Sequence, residues 1–178
     1  MVVNPFFPPF VADAAAVGVG AVCGALCRHQ IGQSLTKQIA KDPERFGHLT
    51  GWHTAGINVV GSFVLGGIFA APVVTATEGA PAAAATKAAA STSAQAVAPS
   101  KVPINVASFG LTARAKLMAG VGFCGSFTTF STYSVDIVNM IGRGEAARVL
   151  GYVALNNIGG VGAAAAGMLL VRKLIAGK

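Results

Sequence analysis

Residues 122–136 read GFCGSFTTFSTYSVD, and the nature of this stretch decides what kind of protein the chain forms. It lies inside a long apolar segment, yet it carries the hydroxyls of Thr128, Thr129, Ser131, Thr132 and Ser134. Phe127, Phe130 and Tyr133 stand between them at every third residue, so on a helix they climb one face and drift slowly around it. Gly122 and Gly125 precede them and invite a break in the helix. Broken backbone at membrane depth survives only where protein or a watery cavity receives it. The stretch therefore reads as the inner wall of something polar within a bilayer.

The rest of the composition agrees with a membrane setting. The 178 residues are 53% hydrophobic and 11% charged, with a mean hydropathy of +0.64. Soluble domains carry about 25% charged residues. The formal net charge of +7 raises nucleic acid as a partner. The basic residues, however, are scattered singly between apolar segments, so they read as helix-end and loop charges, and no nucleic-acid role is expected. Cys23, Cys27 and Cys124 form no C-x-x-C pair and have no histidine at metal-ligand spacing; they read as small apolar residues. Residues 1–10 hold three prolines and no positive charge. They read as an extended lead-in, neither a helix nor a cleavable signal peptide.

Spanning a bilayer takes about 20 predominantly apolar residues. By that measure four spans are expected, over about 11–34, 54–74, 117–140 and 149–171. The fold class is thus an all-α membrane protein with four transmembrane helices in one domain, the third broken near its middle. Gly20 and Gly24 form a G-x-x-x-G pair in the first span, and Gly61, Ser62, Gly66 and Gly67 mark a small-residue face in the second; such faces let helices approach closely. The glycines at 120, 122 and 125 match G-x-G-x-x-G, but no strand precedes them, so a dinucleotide loop is rejected. Residues 37–52 read as a polar connector, with loop histidines His48 and His53 and an interfacial Trp52. Residues 75–106, rich in Ala, Pro, Ser and Thr, read as a disordered loop.

Four spans put both termini on one side. There Lys87, Lys101, Arg114, Lys116, Arg172, Lys173 and Lys178 lie outside the membrane; Lys37, Lys41, Arg45, Arg143 and Arg148 lie on the other side, with Arg28 at a span end. Orientation follows the Lys/Arg bias of short loops. Here the bias nearly vanishes, so the chain is expected to insert both ways round. A subunit made in both orientations can form an antiparallel dimer with its two-fold axis in the membrane plane.

With these segments in view, the chain resembles the Fluc (CrcB) fluoride-channel family. That family's third helix carries G-F-x-G-G-x-T-T-F-S-T-F-S, matched by residues 122–134 at nearly every fixed position. Its second-helix V-N-x-x-G-S-F appears as I-N-V-V-G-S-F over 57–63, and its first-helix G-A-L-x-R-Y/H as G-A-L-C-R-H over 24–29. The resemblance implies a passive fluoride-selective channel of the plasma membrane, exporting cytoplasmic fluoride through the pores of an antiparallel homodimer. It also implies a structural sodium ion at the dimer centre, held by the backbone carbonyls of Gly125 and Thr128. The family's pore aromatics fall on Phe130 and Tyr133, the second being Phe in the family pattern. Ser126 replaces the second glycine of the pair. Asn58 carries over as the pore amide, with interhelical bonding as its ordinary alternative. Ser131 and Thr132 offer hydroxyls to the pore or back to their own helix. The fourth-helix polar track is altered: Tyr152 and Asn156 keep its spacing, but Gly160 follows and Asn157 faces elsewhere. Arg28 is expected to shape the vestibule or brace the dimer, and Asp136 to pair with Arg28 or a lysine.

Two other classes compete. A dual-topology, proton-coupled small-molecule exporter would want a carboxylate at mid-membrane, and only Asp13 and Asp136, both near span ends, offer one. A tetraspan scaffold would explain the small-residue faces but leave the hydroxyl-aromatic stretch without purpose. No nucleophile–base pair or metal set supports an enzyme.

Overall fold

The structure, a computed structural model, describes residues 9–74 and 110–177. Of the expected lead-in over 1–10, residues 1–8 lie outside the described residues, as does the expected disordered loop over 75–106 with Lys87 and Lys101; residues 9 and 10, expected outside any helix, open the first one.

Helix α1 runs Pro9–Lys41, starting two residues before the expected span and extending seven beyond it. Between Ser34 and Lys41 the sequence holds good helix formers and neither Gly nor Pro, so nothing stops the helix at the membrane edge. It stops at Asp42, whose backbone is turned from the helical region by Pro43. Asp42 then caps the short α2, Pro43–Phe46, accepting a bond from Arg45 N at 3.2 Å. A 3₁₀ turn over Gly47–Leu49 follows. Gly51, at φ 86°, makes the left-handed corner that starts α3, Trp52–Ala70. Pro72 ends α3 four residues short of the expected boundary, since Ala71 is already extended.

The third segment is discontinuous. Thr112 caps α4, Ala113–Lys116, which widens into a π-helical stretch over Leu117–Cys124 and closes with α5, Gly125–Phe127. Thr128 and Thr129 are extended (φ −76°, ψ 157° and φ −150°, ψ 118°), and α6 resumes over Phe130–Gly142. The expected break is present, but it falls after the glycines rather than at them. The fourth segment is one helical run: α7, Ala146–Ala154, a π turn over Leu155–Gly159, and α8, Gly160–Ile175. Three runs, Phe10–Lys41, Trp52–Ala70 and Ala146–Ile175, are long and apolar enough to cross a membrane. An isolated parallel bridge, Val73 to Leu111, is the one β feature among the described residues.

The glycines do their work in packing. A Cβ on Gly20 would strike the carbonyl of Met118, and one on Gly122 the carbonyl of Val17. A Cβ on Gly66 would strike the carbonyl of Ala164, and one on Gly167 that of Phe63. So α1 lies backbone to backbone against the π stretch, and α3 against α8. A small core of Ala55, Tyr133, Met140 and Tyr152 joins α3, α6 and α7. Trp52, expected at the interface, turns its ring edge-on to Tyr152 at 5.9 Å.

At one end, Arg148 ties the polar connector to the last helical segment. Its guanidinium donates to the carbonyls of His48 (2.7 Å) and Thr50 (2.6 Å) and to Glu145 (3.0 Å). Arg143 also bonds Glu145, at 2.7 Å, across the Gly144 turn (φ 73°). The Arg143 hydrogen bond holds the Glu145 carboxyl below its usual range.

Two predictions follow from this packing and this turn. Gly20→Val drives side-chain atoms into backbone that has no room to give, costing about 1–3 kcal/mol or more. Gly162→Ala, at a position with nothing within 4 Å, leaves stability unchanged; thermal unfolding in detergent compares them. Because the Glu145 value is lowered on folding, its contribution is present above the ordinary carboxylate range (about 4.3) and fades as pH falls through the folded value. The midpoint difference between the native protein and Glu145→Gln is therefore expected near neutrality and should vanish in acid.

Candidate functional site

A helix break strands backbone N–H and C=O groups, and a buried stranded group costs about 1–3 kcal/mol. Asn58, on α3, meets this need at Thr129, which is itself buried. Its Oδ1 accepts from Thr129 N at 2.8 Å, and its Nδ2 donates to Thr129 O at 3.2 Å. The second Nδ2 proton goes to Asn156 Oδ1 at 2.8 Å, and Asn156 Nδ2 donates to Tyr152 O at 2.9 Å. One amide thus joins α3, the break and the π turn of the fourth segment.

The same break redirects two N–H groups. In a continuous helix Thr129 N would bond Gly125 O, and Thr132 N would bond Thr128 O. Here Thr129 N is taken by Asn58, and Thr132 N donates to Thr129 Oγ1 at 3.2 Å. Gly125 is exposed, and a Cβ there would meet nothing within 4 Å.

Beside the break opens a groove of about 250 Å³, lined among others by Asn58, Ser62, Thr128, Phe130, Tyr133 and Asn156. Phe130 is 79% exposed, whereas Tyr133 is 9% exposed. The Tyr133 ring sits 5.5 Å from Phe130, tilted, and 5.5 Å from Tyr152, stacked. Four residues singled out from sequence, Asn58, Phe130, Tyr133 and Asn156, therefore meet in one place. Ser131 and Thr132 do not line the groove. Both hydroxyls lie within bonding reach of Thr129 Oγ1, at 3.3 and 3.0 Å, and complete the cap of α6. Arg28 is half-buried on α1 and makes no ion pair among the described residues. Asp136 bonds neither Arg28 nor a lysine; it accepts from Tyr152 OH at 2.8 Å.

Two contributors escaped sequence reasoning. Asn157, expected to face elsewhere, lines the groove with Asn156 and donates to Tyr133 OH at 3.0 Å. On an α-helix two adjacent residues diverge by about 100°; the π turn over Leu155–Gly159 is wider and brings both amides to one side. Ser126 lies within 2.8 Å of both Ala21 O on α1 and Gly122 O on its own helix. Its hydroxyl is absorbed between two helices, and the local backbone stays helical.

A groove of amides, hydroxyls and ring edges, set at a broken helix among apolar runs long enough to cross a membrane, defines a multi-pass membrane protein. The chain belongs to the family described as CrcB-like protein, Camphor Resistance (CrcB), whose model matches residues 15–168. It is 29% identical over 164 residues to the fluoride-specific ion channel FluC of Gloeobacter violaceus, covering 92% of this chain and 99% of that one. The FluC of Sphingopyxis alaskensis is 28% identical over 158 residues, 89% of this chain and 94% of its own. FluC 2 of Haloarcula marismortui is 31% identical over 156 residues, 88% and 87%.

Asn58→Leu removes both bonds to Thr129 and orphans an N–H and a C=O, each at about 1–3 kcal/mol. Asn58→Asp keeps the acceptor for Thr129 N but sets a carboxylate oxygen against Thr129 O and Asn156 Oδ1. Both variants are expected to lose thermal stability in detergent, while Asn58→Gln retains part of it.

Proposed function

We infer that this chain is a passive fluoride-selective channel, and the observation that carries the reading is the groove at the helix break. Fluoride is small and holds its water tightly, so a path for it must present hydrogen-bond donors and ring edges at close range. The groove supplies amides, hydroxyls and the Phe130 and Tyr133 rings. Among the described residues no lysine, arginine, aspartate or glutamate lines it, so none of them would trap the anion or repel it. Gly160 lacks a hydroxyl, but a Cβ there would lie 3.6 Å from Ser62 Oγ. Ser62 thus brings a hydroxyl to the place where the altered polar track loses one. Curated relatives over most of the chain are named fluoride-specific ion channels, which supports the same activity. The reading assigns transport and no enzymatic step.

The reading extends to four crossings and a dimer. The two halves of the third segment, Ala113–Phe127 and Phe130–Gly142, would cross together as a broken fourth span. The groove is open at its side, Phe130 stands in that opening, and the Gly125 face has no neighbour. An open polar groove is costly against lipid, so a second copy is its natural cover. The balanced Lys/Arg count favours an antiparallel copy. In such a pair the two-fold axis would bring two copies of Gly125 and Thr128 together. Their carbonyls, deprived of helical donors by the break, suit a hard cation such as sodium. The ion would supply fixed positive charge at the dimer centre, and the chain's part is to hold those carbonyls out of the helix.

Efflux of fluoride from proteoliposomes, followed with a fluoride-selective electrode, tests the reading. Rapid fluoride loss with no proton gradient and no comparable chloride loss is the expected result, abolished in Phe130→Ile. Efflux that appears only against an opposing proton gradient would instead identify a proton-coupled exporter.

A further inference from the structure

We propose that Asn157 is a positioning residue for Tyr133, turning its phenolic proton into the groove as a donor for a small, strongly hydrated anion. The inference rests on the channel reading and adds a determinant of how this chain binds fluoride.

Asn157 carries two amide protons, and both are spent. One goes to Tyr133 OH at 3.0 Å, the other to Val153 O at 2.9 Å on its own helix. The second bond fixes the amide plane and fixes which atom faces the phenol: the N–H group, not the carbonyl. The Tyr133 oxygen is therefore an acceptor toward Asn157. Its own proton must point elsewhere, since a phenol both donates and accepts. Among the described residues no protein acceptor takes that proton. The ring is packed between Tyr152 and Phe130, each 5.5 Å away. Tyr133 and Asn157 both line the groove beside Phe130. The unspent O–H thus lies where an anion passing the Phe130 and Tyr133 ring edges would meet it.

The donor counts in this setting because the neighbouring polar groups are largely committed. Both amide protons of Asn58 are bonded within the chain, and the Thr128 hydroxyl donates to Cys124 O at 2.9 Å. Leucine or alanine at 157 would leave the phenol without its amide donor. The hydroxyl would then be free to rotate, and its proton would no longer be held toward the groove. A phenylalanine at 133 would have no such proton, and Asn157 would then have nothing to orient.

The test is a double-mutant cycle on the full chain in proteoliposomes and planar bilayers. It reads apparent fluoride affinity from the concentration dependence of current, and fluoride-over-chloride selectivity. Asn157→Ala, at an exposed position, should weaken apparent fluoride affinity about five- to tenfold with Tyr133 present. The same change should be neutral in Tyr133→Phe, since a purely packing role for Asn157 would act in both backgrounds. An equal loss in both backgrounds, or none in either, overturns the proposal. A second readout does not depend on flux. The chain has two tyrosines, so the tyrosine Raman doublet, which reports whether a phenol donates or accepts, can be followed directly. Fluoride should shift it in the native protein and in Asn157→Gln, and leave it unmoved in Tyr133→Phe. A native protein that passes no fluoride would sink the channel reading separately. The Raman comparison of native protein with Asn157→Ala still decides the pair: an unchanged doublet without added fluoride would show that Asn157 does not set the phenol.

Discussion

One side-chain amide carries the consequences of breaking a helix in an apolar environment. At Thr128–Thr129 the backbone leaves the helix, and water is not at hand to receive the N–H and C=O that this exposes. Asn58 takes both of those groups at Thr129 and passes its remaining proton to Asn156. With the break held open, Thr129 becomes the cap of α6, and α6 sets where Phe130 and Tyr133 emerge. The Gly125 and Thr128 carbonyls lose their helical donors through the same two substitutions of partner, Asn58 for one and Thr129 Oγ1 for the other. The groove, its rings and the two released carbonyls are thus consequences of a single local accommodation.

What surrounds the break must not yield, and glycine supplies the stiffness. Backbone lies against backbone where Gly20 meets Met118 and where Gly66 meets Ala164. Close packing of this kind gains dispersion contacts that lipid cannot offer in the same geometry. The Ser126 hydroxyl, between Ala21 O and Gly122 O, adds a polar tie between α1 and the stretch leading into the break. The two close-packed pairs leave little for a conventional core; what there is gathers around Tyr152 and Met140, both almost wholly buried. Large apolar side chains such as Val22, Leu26, Val161 and Leu169 point outward instead, as they should where the solvent is lipid.

Among the described residues the charged side chains stay off the groove. Arg143, Glu145 and Arg148 gather at one end, where Arg148 also binds two connector carbonyls. Asp13 and Arg114 pair elsewhere on the surface, at 3.0 Å. Of the two carboxylates a proton-coupled exporter could use, Asp136 is tied to Tyr152 and Asp13 to Arg114, and neither lines the groove. A path furnished with dipoles and ring edges alone is suited to letting an anion bind and leave again.

The sequence by itself determined the membrane class, the long apolar runs and a break in the third segment, while the family resemblance joined Asn58, Phe130, Tyr133 and Asn156 in one expected site. Apolar run length and the hydroxyl-aromatic pattern are local properties, and local properties are legible in a chain. Only the tertiary structure decided where the backbone breaks and what each polar group does there. Of the two glycines that seemed to invite the break, Gly122 is consumed in contact with α1, where a Cβ would strike the Val17 carbonyl, and Gly125 is exposed and stays helical. Asn58 proves to serve the backbone, because the Thr129 groups it satisfies are 71 residues away in sequence. Ser131 and Thr132 turn to the cap of α6, and Asn157 turns to Tyr133 through a π turn that no local pattern announces. Hydrogen-bond partners are set by which segments the packing brings together, and that is a property of the folded chain.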